Sequence, residues 1–114
     1  MIVKRVNLVS ENGKEFEVEI YLNNRSIKSI ERELKKEYPK LNFNTGIPYL
    51  VQGEMIVALI YLENSMHLVG SKHPLGTDWL DDNDIDFLKH SDKLITAFSE
   101  CLIDLKPTVE PKKK

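Results

Sequence analysis

Residues 47–70, IPYLVQGEMIVALIYLENSMHLVG, decide how the rest of the chain is read. Met55 to Leu62 is an apolar run of eight residues. That is too short to span a bilayer and suits a strand buried on both faces. Gly53-Glu54 and Asn64-Ser65 have the composition of two-residue turns, and they divide the stretch into three expected strands. Pairing outward from the turns puts Tyr49, Val51, Ile56, Ala58, Ile60 and Val69 on one face. Leu50, Val57, Leu59, Tyr61 and Leu68 fall on the other, so both faces need cover.

Upstream, Ile2 to Val9 and Glu15 to Leu22 read as two further strands. The second alternates, with Phe16, Val18, Ile20 and Leu22 on one face and Glu15, Glu17, Glu19 and Tyr21 on the other. A two-residue Asn12-Gly13 turn would oppose Leu8 to Glu17 and mix core with solvent. A three-residue loop, Glu11-Asn12-Gly13, instead pairs Leu8 with Phe16, Val6 with Val18 and Arg5 with Glu19. One face of this hairpin is therefore expected to be wet and charged.

Asn24 or Ser26 can cap a helix whose stripe is Ile27, Ile30, Leu34 and Tyr38, and Pro39 stops it. Lys40 to Gly46 reads as loop. So does Gly70 to Thr77, followed by an acidic linker or helical turn over Asp78 to Asp84. A last helix is expected from about Asp84 to Leu105, on Ile85, Leu88, Ile95, Phe98, Leu102 and Leu105. The expectation is an α+β fold with a mainly antiparallel five-stranded sheet. Its order is strand-strand-helix-strand-strand-strand-helix, with the helices packed on the sheet. That order resembles longin-like and roadblock-like sandwiches, and its first half a β-grasp; topology of this kind implies little about function.

The length of 114 residues fits one domain, taken as 1–105, with 106–114 (KPTVEPKKK) read as a disordered basic tail. Apolar content of 41% and charged content of 30% are ordinary for a globular protein. A single cysteine, Cys101, excludes an intrachain disulfide and suggests a reducing, cytoplasmic setting. The start, MIVKRVNLV, has no apolar run after its basic pair, so neither a signal peptide nor a membrane association is expected. The net charge of −2 conceals a division. Residues 1–40 carry nine basic against seven acidic side chains, whereas 41–105 carry three against ten. The excess gathers at Asp78, Asp81, Asp82, Asp84 and Asp86, a field that repels nucleic acid and attracts basic partners.

Ser71, His73 and Asp78 offer a nucleophile, a base and an orienter within one loop, Gly70 to Trp79, but without the strand–turn–helix context of a nucleophile elbow. Asp82, Asp84 and Asp86 start like a calcium loop. Phe87 stands where that loop needs glycine and Lys93 where it needs glutamate, so it is rejected. His67, His73 and His90 have no metal-binding spacing, and His67 reads as a hydrogen-bonded histidine at the edge of the core. No cofactor or metal is expected. Lys28, Arg32, Lys35 and Lys36, flanked by Arg25 and Lys40, make a basic helix face, but Glu31, Glu33 and Glu37 interleave with it.

The leading expectation is a small non-enzymatic protein-binding module of adaptor, immunity or inhibitor type. It would dock a basic partner through His73, Asp78, Trp79, Asp81, Asp82 and Asp84, with Trp79 read either as a recognition hot spot in an acidic rim or as a buried anchor plugging the start of the last helix. Two alternatives stand beside it. One is a small hydrolase or transferase using the Gly70–Trp79 loop; the other is weak nucleic-acid binding through the first helix, which the overall charge disfavours. Homodimerisation is a further use for an apolar sheet face left uncovered.

Overall fold

The computed structural model describes residues 1–105; the basic tail read at 106–114 lies outside the described residues. Strands β1 (Lys4–Val9) and β2 (Glu15–Ile20) form the hairpin in the register that its hydrophobic pattern requires. Leu8 faces Phe16, Val6 faces Val18 and Arg5 faces Glu19. Gly13 takes the left-handed conformation at φ 87°, which closes the three-residue loop. Val6, Leu8, Val18 and Ile20 are buried, while Arg5, Asn7, Glu15 and Glu17 are exposed.

Helix α1 (Asn24–Glu37) follows, capped by the Asn23 side chain, which accepts from Ser26 N–H at 2.8 Å. Its Ile30 and Leu34 are fully buried. Here the expected architecture fails. The stretch read as three strands is helix α2 (Phe43–Val51), helix α3 (Met55–Glu63) and one short strand, β3 (Met66–Leu68). Among the described residues there are five helices and a three-stranded antiparallel sheet of order β1-β2-β3, not a five-stranded one. The resemblance to longin-like and roadblock-like sandwiches falls with it.

The reason lies in the periodicity. Val57, Ala58, Ile60, Tyr61 and Leu62 are all buried because α3 touches α1, α2 and α5. A helix enclosed on several sides has no polar stripe, so its sequence resembles that of a strand covered on both faces. The segment read as the Lys40–Gly46 loop instead starts α2, with Asn42 accepting from Thr45 N–H at 2.9 Å. Glu31 of α1 accepts from the backbone N–H of Phe43 and ties the two helices together.

After β3, the 70–77 segment is loop, then come α4 (Trp79–Asp82) and the long α5 (Phe87–Leu105). Helix α5 lies against β1 and β2, and α3 packs on α5. Tyr61 joins three elements: its ring meets Phe98 of α5 edge-on at 5.6 Å and Phe43 of α2 at 5.5 Å. Its hydroxyl donates to the Phe43 carbonyl. The helices therefore stack on the apolar face of the hairpin and leave its charged face open. None of the helices among the described residues is long and apolar enough to cross a membrane.

Candidate functional site: an acidic crevice at the start of the last helix

The acidic segment is held in shape by its own backbone. Asp78 (φ 75°) and Asp84 (φ 54°) bracket α4 in left-handed conformations that aspartate tolerates better than most residues. Ile85 N–H returns to Leu80 O at 2.9 Å, and Asn83 Nδ2 donates to Trp79 O at 2.9 Å. Glu11 N–H donates to Asp84 O at 2.8 Å, pinning this turn to the hairpin loop. Asp86 then starts α5, accepting from Leu88 N–H at 3.0 Å, the placement that suits a carboxylate at a helix N-terminus.

These turns open a crevice of about 450 Å³ between α3, α4 and the first turn of α5. Leu59, Leu80 and Phe87 supply apolar wall, and Glu63, Asp78, Asp81 and Asp86 supply carboxylates. A second hollow of about 460 Å³ shares Asp81, Ile85 and Asp86 with it and adds Glu11 and Asp84 from the hairpin side. Among the described residues, no lysine or arginine lies within ion-pair distance of Asp78, Asp81, Asp82, Asp84 or Asp86. The nearby Lys89 is engaged with Glu11 at 3.3 Å.

Glu63 is the buried member, only 8% exposed. Desolvation raises its pKa to about 7; the charges of Asp81 and Asp78 add to the rise, and backbone hydrogen bonds from Asp78 and Leu80 oppose it. Near neutrality this side chain is poised between carboxylate and acid. The sequence did contain a signal for it: Glu63 is the first charged residue after eight apolar ones, where a helix end rather than a turn would place it in the core.

The residues expected to form the site are partly brought together. Asp78 and Asp81 line the crevice, and Asp84 lines the neighbouring hollow. Asp82 is exposed and lines neither. Trp79 is half-buried, edge-on to Phe16 with ring centres 5.4 Å apart, so it anchors α4 on the hairpin. His73 is elsewhere, in a hollow of about 510 Å³ with Arg25, Lys28 and Arg32 of α1. Ser71 Oγ accepts from the backbone N–H of His73 at 3.1 Å, and Asp78 lines a different hollow, so no nucleophile–base contact forms in this loop.

His67 is fully buried, stacked on Tyr21 at 3.8 Å, with Nε2 3.4 Å from Ser26 Oγ and Nδ1 3.4 Å from Glu19 O. Cys101 is buried in α5 with Sγ 3.4 Å from Ile20 O. Among the described residues, no group of three or more histidine, cysteine, aspartate or glutamate side chains is arranged to hold a metal ion. A further hollow of about 540 Å³ lies beside Tyr38, Leu41, Tyr49 and Val57, and none of the aspartates of the acidic segment lines it. Neither a family model, a curated protein nor a solved structure matches the chain.

Proposed function

We propose that this chain is a cytoplasmic protein-binding module that docks a basic segment of its partner into the crevice of Glu63, Asp78, Asp81 and Asp86. The observation that carries the reading is a group of carboxylates without cationic partners, set above an apolar wall. An arginine or lysine of the partner fits that combination. Its aliphatic stem rests on Leu59, Leu80 and Phe87, and its charge meets the rim.

The test is binding of a labelled peptide of alternating leucine and arginine, with backbone amide shifts recorded residue by residue. Asp81→Asn should weaken binding about tenfold and speed dissociation, whereas Asp82→Asn should act on the association rate alone and by less, because Asp82 lines neither hollow. Equal affinity and equal salt dependence for wild type and the Asp81→Asn variant, or shifts away from Glu63, Asp81 and Leu88, would sink the reading.

A second reading has an observation of its own. Arg25, Lys28, Arg32 and His73 share one hollow with a single carboxylate among the described residues, Glu33, and that cationic excess favours an anionic ligand such as a phosphate chain. Reversal of Arg25 and Arg32 to glutamate with unchanged retention on heparin removes it.

A further inference from the structure

The pairing pattern identifies which backbone groups of β1 face outward. Tyr21 N–H donates to Ser65 O at 3.1 Å, so odd-numbered residues along β2 direct their backbone groups to β3. The even-numbered Phe16, Val18 and Ile20 therefore bond β1 through Leu8, Val6 and Lys4. Arg5, Asn7 and Val9 are left with N–H and C=O pointing away from the sheet. Two side chains of α5 agree with this assignment. His90 Nε2 lies 3.4 Å from Val9 N, and Lys93 Nζ donates to Asn7 O at 2.6 Å. The N–H and C=O of Arg5 and the N–H of Asn7 have no partner among the described residues.

A groove of about 600 Å³ runs along this edge between β1 and α5. Val6, Thr96 and Ala97 line it, and Asp92, Lys93 and Glu100 stand along it. Glu100 is engaged with Lys4 at 3.1 Å. Lys93 has no carboxylate within ion-pair distance among the described residues.

We propose that this edge and groove take an extended peptide strand of another protein, antiparallel to β1, with an apolar residue over Val6 and Ala97 and an acidic residue beside Lys93. An extended strand carries alternating donors and acceptors, the complement of the open groups on Arg5 and Asn7. The residue opposite Val6 shares its face and points to Ala97. The residue opposite Leu8 comes beside Lys93, whose ammonium leaves Asn7 O to the incoming N–H and takes the carboxylate instead. A second copy of this chain is a poorer occupant, because β1 paired with itself about Asn7 brings two Lys93 ammoniums to one place. This surface is independent of the acidic crevice.

The probe is an acetylated, amidated heptapeptide reading threonine, glutamate, threonine, valine, threonine, threonine, threonine. It should bind with a Kd of about 1 mM or tighter and shift the Arg5 and Asn7 amides. N-methylation of its third and fifth residues, whose N–H groups would face β1, should weaken it at least tenfold. Lys93→Glu should weaken the glutamate peptide at least tenfold and restore binding when lysine replaces that glutamate. The proposal is overturned if the N-methylated peptide binds as well, or if the charge exchange at residue 93 makes no difference. It is also overturned if the same amides shift with protein concentration alone, which would assign the edge to a second copy.

Discussion

Glu63 links the energetics of the fold to those of the crevice. Its carboxyl is raised to about 7 because burial, and then Asp81 and Asp78, disfavour the charge. The folded chain thus holds this proton more tightly than the unfolded chain. Stability from the group is complete below the ordinary glutamate range and is lost as pH rises through about 7. The loss should be of order 1–2 kcal/mol, less than the full shift implies because the crevice admits water. Urea unfolding should show that fall as a difference between the wild type and Glu63→Gln from pH 5 to pH 8, because the opposite trend from His67 over the same range is common to both proteins and cancels. His67 acts on the other limb: burial lowers its pKa from 6.5, so stability present above that value is lost as pH falls below it. Glu63→Gln should keep this acid limb; its disappearance would mean the two groups are not separate.

At the scale of elements, the joint between α2 and α3 is the tightest test of the fold. A Cβ added at Gly46 would collide with the Tyr61 hydroxyl and come within 3.2 Å of its ring. Gly46→Ala should cost about 1–3 kcal/mol, read as a lower midpoint in thermal unfolding. The same change made on Tyr61→Phe should cost less, since the hydroxyl is gone, and a double-mutant cycle isolates the difference. Asn23 makes a second joint, capping α1 and donating through Nδ2 to Lys72 O at 3.2 Å. Asn23→Ala should cost about 1 kcal/mol and speed amide exchange at Ser71 and His73; unchanged exchange would detach the loop from the cap.

The same elements show what the sequence could and could not convey. The hairpin register was readable because a slip of one residue would have put Glu17 in the core opposite Leu8. Helices α1 and α5 were readable because each has one wet face, as with the exposed Arg32 and Lys35 opposite the buried Ile30 and Leu34. Helix α3 was not, since its later turns are enclosed by three other helices and no polar periodicity survives. Its content of Met55, Ala58, Leu59 and Leu62 favoured helix, but hydrophobic length alone favoured strand. Of the candidate site, the acidic segment was visible as composition. Its union with Glu63, and the separation of His73 from it, depend on α3 being a helix that ends beside α4.

Across the whole molecule, one patch of acidic charge, unpaired among the described residues, stands out from a surface that is otherwise mixed. The carboxylates around α4 lie in one region, while Arg25, Lys28 and Arg32 line a separate hollow with Glu33 on α1. A partner that engages the crevice should therefore be steered by a field that salt removes. Raising ionic strength from about 0.05 to about 0.3 M should weaken the leucine–arginine peptide roughly tenfold, mostly through slower association. A binding curve indifferent to salt would leave apolar contact alone as the cause.

Trp79 is the only tryptophan in the chain; it adjoins Asp78 and Leu80 of the acidic crevice in sequence, and its ring packs edge-on against Phe16 of the hairpin. The molecule thus carries its own optical reporter. Emission excited at the indole should change in wavelength or yield when a cation settles among the neighbouring aspartates, with no dye attached. Occupancy of the β1 edge should leave that signal quiet, so one cuvette distinguishes the two surfaces.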